Sequence, residues 1–112
     1  MKVLVPAVKV NDSLLLAPSA DVCPLYAVYE LERGGFKLVG VVASRGSGSS
    51  ALREVVESER PDIVIVPETA EVEELEMLGV RVYRSRELEV EKALRELGGT
   101  PPEGYLALTS PQ

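Results

Sequence analysis

The 112-residue sequence predicts an α/β domain, a mixed five-stranded sheet with helices on its faces. Three observations carry this. Asp62–Pro67 (DIVIVP) is a nearly unbroken apolar run, the pattern of a strand covered on both sides. Arg33-Gly34-Gly35 lies between two β-rich stretches, where glycine supplies the positive φ of a hairpin turn. Three stretches with apolar residues at helical spacing follow, each closed by glycine or proline.

The first expected strand is Lys2–Val10, rich in β-branched residues, with Val3 and Val5 on one face and Val8 and Val10 on the other. Pro6 inside it points to an edge position or a bulge, since proline donates no ladder hydrogen bond. Asn11-Asp12-Ser13 reads as a turn, and Leu14–Leu16 as a short edge segment entering a loop that ends at Pro24. Leu25–Glu32 and Phe36–Ala43 are the arms of the hairpin. A polar loop, Ser44–Ser50, leads to a helix capped by Ser49 or Ser50, striped by Leu52, Val55 and Val56, and stopped by Pro61.

After DIVIVP, Thr69 is expected to cap a second helix whose first turns hold Glu71, Glu73 and Glu74. Val72, Leu75 and Leu78 form its stripe, and Gly79 is its C-terminal glycine. Val80–Tyr83 is the fifth strand. Ser85 is expected to cap a third helix striped by Val90, Ala93, Leu94 and Leu97 and ended by Gly98-Gly99. Helical crossovers make the last three strands parallel, while the hairpin reverses the second strand. Residues 1–99 then form one domain and 100–112 a C-terminal tail, in which Glu103–Leu108 suits either an added edge strand or packing on another subunit.

Composition limits the function. Hydrophobic residues reach 46%, enough for a core and too many for a disordered chain. Eighteen acids against twelve bases give a net charge of −6, which repels phosphate backbones and argues against nucleic acid. The apolar runs are too short to cross a membrane, and Lys9 breaks the early apolar run before it resembles a signal peptide. With one cysteine and no leader pattern, a cytoplasmic setting is expected. Abundant Glu and Arg with one Asn and one Gln lean towards a thermophile. There is no histidine, which removes His-based acid–base catalysis, Ser-His and Cys-His pairs and His-containing zinc sites. The first strand also offers no carboxylate for a two-metal nuclease site. The expectation is a protein that is not an enzyme.

The ordered segments resemble the dinitrogenase iron–molybdenum cofactor-binding family of ribonuclease-H-like fold. MKVLVP resembles that family's first strand and PLYAVYELERGGFKLVGVV its hairpin. GSGSSALREVV and RPDIVIVP resemble its glycine-rich helix start and central strand, and LEMLGVRVYRS with EVEKALREL its closing segment. The resemblance spans Met1 to about Gly99. It implies a non-catalytic protein that binds or carries an iron–molybdenum or other metal–sulfur cluster, with metal-cofactor assembly proteins as partners. A homo-oligomer is compatible with it. Where the family commonly has His-Phe-Gly, this chain reads APSADVCP, and where the family tends to have glycines after the central strand, it reads PETAE. The family's usual site is therefore expected to be partly lost, and a fold kept without any cofactor is the alternative.

The candidate ligand-binding residues are Ser19, Asp21 and Cys23 in the first loop, Gly46, Ser47, Gly48, Ser49 and Ser50 in the second, and Glu68 and Thr69 after the central strand. Cys23 is the candidate metal ligand, because a thiolate suits soft metals; the competing expectation is a small buried hydrophobe. One thiol cannot complete a four-thiolate cluster. The second loop presents amides at a helix start, beside Arg45, as an anion site would; the competing expectation is a plain connector. Glu68 lies where α/β ligand sites gather, or serves only the helix dipole. These alternatives define two functions, a metal–sulfur cofactor carrier and a small-anion-binding or protein-interaction module.

Overall fold

A computed structural model describes residues 1–20, 23–43 and 49–99. Its strands are β1 (Lys2–Val10), β2 (Ser13–Leu16), β3 (Leu25–Glu32), β4 (Gly35–Ala43), β5 (Ile63–Pro67) and β6 (Arg81–Ser85). Its helices are α1 (Ser49–Glu59), α2 (Glu73–Met77) and α3 (Val90–Leu94), the last continuing into a π-helical turn, Arg95–Gly99. The tail, 100–112, lies outside the described residues.

The sheet runs β4-β3-β1-β5-β6, with β2 also paired to β1. β3 is antiparallel to both of its neighbours, whereas β1, β5 and β6 are parallel. The mixed sheet is as expected, but it has six strands, not five. The addition is β2. Ser13–Leu16 turns back through Asn11, at φ 57°, and pairs with the second half of β1. Leu16 is buried, Leu14 and Leu15 are half-buried, and Ser13 is exposed, so the strand enters the core at its C-terminal end.

Alternation along the strands divides the core into two layers. Leu4, Tyr26, Val28, Val64 and Val66 face α1 and α2, packing with Leu52, Val55, Val56, Val72 and Leu75. Val3, Val5, Ala7, Ala27, Tyr29, Ile63 and Ile65 face α3, packing with Val90, Ala93, Leu94 and Leu97. All five residues of β5 are buried, as its unbroken apolar run requires.

Three local expectations are corrected. Pro6 sits in a central strand, not at an edge or bulge. On the β5 side, β1 pairs through Val3 and Leu4 and then, from Ala7, with β2. The carbonyl of Pro6 points to that side and accepts from the Ala17 N–H at 2.9 Å. A residue's N and O face the same way in a strand, so the missing N–H falls in the gap between two partners. Thr69 is not a helix cap: α2 starts later, with Val72 in the N-cap position and no side-chain cap. Ser85 is not a cap either, because β6 extends to it and α3 begins only at Val90. Leu14–Leu16, read as a short edge segment, belongs to β2, which pairs with β1 on one side and makes a single bridge, Leu15 to Glu89, on the other. Gly34 (φ 88°) and Gly79 (φ 78°) hold the turn and helix-end roles read from the sequence.

Candidate functional site

In open α/β sheets, ligands gather beyond the C-terminal ends of parallel strands, where the chain order reverses. Here that point lies between β1 and β5, since the chain first builds outward to β4 and then returns to β5. The crevice is already filled. Ala7 pairs with Leu25 on one side and Leu16 on the other, so β2 occupies the place beside β1 that β5 leaves after Val64.

What remains is a cleft of about 180 Å³ on the α1/α2 side, lined by Ser19, Ala20, Leu52, Glu71, Glu73, Glu74 and Leu75. Of the candidate residues within the described part of the chain, Ser19 lines this cleft, beside Leu52 of α1 and the residues that lead into α2. The carboxylates are a feature that strand-end reasoning missed. They were legible only as a charged first turn, because nothing in the spacing says which way that turn faces.

Cys23 is 7% exposed and belongs to the α1/α2 core. Its Sγ lies 3.4 Å from the Leu25 carbonyl and 3.8 Å from that of Ala20. The Tyr26 hydroxyl, also buried, donates to the same Ala20 carbonyl at 2.9 Å and ties the loop to β3. These contacts place the thiol as an interior group.

Glu68 and Thr69 are exposed and do not line the cleft. The Glu68 carboxylate pairs with Arg86 at 3.3 Å in an exposed ion pair, which contributes little stability. Arg84 Nη1 donates to the carbonyls of Glu68 and Ala70, both at 3.0 Å, and the Glu68 N–H donates to Ser85 O. The β5–α2 loop is thereby held from β6, with the Glu68 side chain turned to Arg86. Asp21, Gly46, Ser47 and Gly48 lie outside the described residues, as do the side chains of Ser49 and Ser50.

Comparison with known proteins returns folds only. No family model matches, and no curated protein does. A crystal structure of PH0822 superposes with a TM-score of 0.71 at 17% identity, over 88% of this chain and 91% of that one. A Thermotoga protein of the DUF35 family, provisionally named a NifB protein, gives 0.57 at 20% identity over 86% and 84%. A Methanocaldococcus jannaschii protein, provisionally named a dinitrogenase, gives 0.58 at 14% identity over 84% of each chain. The likeness is one of fold.

Among the described residues, no group of three or more His, Cys, Asp or Glu side chains is placed to hold a metal ion. The single thiol is buried against backbone carbonyls, and the cleft is lined by carboxylates. An anionic cluster there meets repulsion of about 1 kcal/mol per unit charge at 4 Å in water, and about 4 kcal/mol at an effective dielectric of 20. The described residues do not fit such a cluster held by this chain alone.

Proposed function

We propose that this chain is a non-catalytic accessory domain with the fold of metal–sulfur cofactor proteins, its own ligand set reduced, and that it acts by docking to cofactor-assembly proteins in the cytoplasm. The observation that carries this reading is the filled switch point: β2 lies between the ends of β1 and β5, and Cys23 is turned into the core. The family likeness of the ordered segments and the shared fold of the Thermotoga and Methanocaldococcus proteins support the cofactor-related setting. The acidic cleft and the net charge of −6 favour a basic docking surface over a phosphate-bearing ligand.

The test is anaerobic incubation with iron–sulfur and iron–molybdenum cofactor donors, followed by metal analysis and visible absorption. Uptake far below one cluster per chain, unchanged in Cys23→Ser, is expected. Stoichiometric uptake that Cys23→Ser abolishes overturns the proposal in favour of a carrier. The small-anion alternative predicts thermal stabilisation by phosphate; the carboxylate lining predicts none.

A further inference from the structure

A second cleft, of about 450 Å³, opens on the α3 side of the sheet. Part of its lining is apolar: Leu14, Tyr29 and Phe36 belong to the layer packed on α3, and Leu38 continues it along β4. The rings of Tyr29 and Phe36 meet edge to face, with centroids 6.0 Å apart. The rest is acidic. Asp12 enters from the turn into β2, and Glu89 and Glu91 from the start of α3, while among the described residues no lysine or arginine lines the cleft. The two acidic segments are tied together, since Leu15 bridges to Glu89 and the Leu16 N–H donates to the Leu88 carbonyl at 2.8 Å. None of the three carboxylates has an ion-pair partner among the described residues. Tyr29 adds an independent observation. It is 5% exposed and lines the cleft, yet its hydroxyl makes no hydrogen bond among the described residues. Burial raises the pKa of this phenol and the Glu91 carboxylate raises it further, so the hydroxyl end of the ring is turned towards the cleft that Glu91 also lines. A hydroxyl buried without a partner has lost its hydration uncompensated, and a ligand atom in the cleft restores the bond.

We propose that this cleft binds an aliphatic polyamine, with its ammonium groups on Asp12, Glu89 and Glu91, its methylene spacers along Leu14, Phe36 and Leu38, and one N–H donated to the Tyr29 hydroxyl oxygen. Charge and size select this class of ligand. Among the described residues no three carboxylates are placed to hold one metal ion, so those that share the cleft call for a cation whose charges are spread out. The apolar lining calls for hydrocarbon between those charges, and aromatic rings add their own attraction for an ammonium group. The volume lies within the range of small-molecule sites, about 300–1,000 Å³. An anionic ligand of the same size meets three like charges with no cation beside them.

Titration calorimetry of the full chain with spermidine, in low-salt buffer near neutral pH, tests this. Saturable binding of one spermidine per chain is expected. Glu89→Gln/Glu91→Gln is expected to weaken it by about ten-fold or more, and Tyr29→Phe, which keeps the ring and its packing, by about three- to ten-fold. Glu73→Gln/Glu74→Gln, in the smaller cleft, is expected to leave it unchanged. Circular dichroism checks that each variant is folded. The absence of saturable binding overturns the proposal. So does equal weakening by the Glu73/Glu74 pair, which means diffuse attraction to an acidic surface, or equal displacement by magnesium chloride at matched ionic strength, which means the same. A tetralysine peptide that binds more tightly than spermidine also overturns it and assigns the cleft to a basic segment of a partner protein.

Discussion

Ser85 is the buried polar residue of the described core, 2% exposed, and its hydroxyl is fully engaged. It donates to Glu96 Oε1 at 2.7 Å and accepts from the Glu87 N–H at 3.0 Å. The Tyr83 hydroxyl reaches the same carboxylate oxygen at 3.3 Å, so one glutamate ties the π-helical turn to β6. Ser85→Ala removes both hydrogen bonds and leaves two half-buried partners, Glu96 and the Glu87 N–H, without them, and a loss of about 1–2 kcal/mol is expected in urea unfolding. Tyr29 carries a second prediction. Burial pushes its phenol above the ordinary value of 10.0, and the Glu91 carboxylate adds to the shift. A raised pKa in the folded state means that the phenol contributes fully below the unfolded pKa. As pH rises past that value the unfolded chain ionises first, and stability falls until the folded phenol also ionises. Urea midpoints between about pH 8 and pH 11 are expected to drop more steeply in the wild type than in Tyr29→Phe.

At the scale of elements, turns and helix ends were legible where backbone chemistry is restrictive. Gly34 at φ 88° closes the β3–β4 hairpin, and a Cβ there meets nothing within 4 Å. The cost of Gly34→Ala is therefore conformational, about 1–2 kcal/mol, and shows as a lower thermal midpoint with no change in spectrum. Caps were read less well. Thr69 and Ser85 have the chemistry of N-caps, but β6 claims Ser85 as its last ladder residue, pairing with Pro67. Arg84 holds the carbonyls of Glu68 and Ala70 before α2 begins. A capping side chain contributes about 1 kcal/mol, less than the tertiary hydrogen bonds and burial that set these boundaries.

For the whole molecule, two apolar layers meet at β1 and β5, which bury Val3 through Ala7 and all of Ile63–Pro67. The amides of Val3–Val5 and Ile63–Val66 are expected to exchange slowest, and Leu4→Ala to cost about 2–5 kcal/mol in chemical unfolding. A smaller loss checks against this assignment of the centre. The same packing explains why the candidate site was only partly readable. Ser19 was found from its loop and does line the cleft, but Glu71, Glu73 and Glu74 line it in place of Glu68 and Thr69.

The alternation of Val3, Leu4 and Val5, the apolar run of β5 and the glycines of the turns determined by themselves that this chain is a mixed α/β sheet with helices on its faces. Those signals are local, because side-chain period and backbone freedom are properties of short segments. Only the tertiary structure decided that Ser13–Leu16 is a sixth strand filling the space between β1 and β5, that Pro6 is tolerated at the centre, and that Cys23 faces inward. Each depends on which distant backbone occupies the next place in the sheet, and a residue's neighbours across the sheet are not encoded in its own spacing.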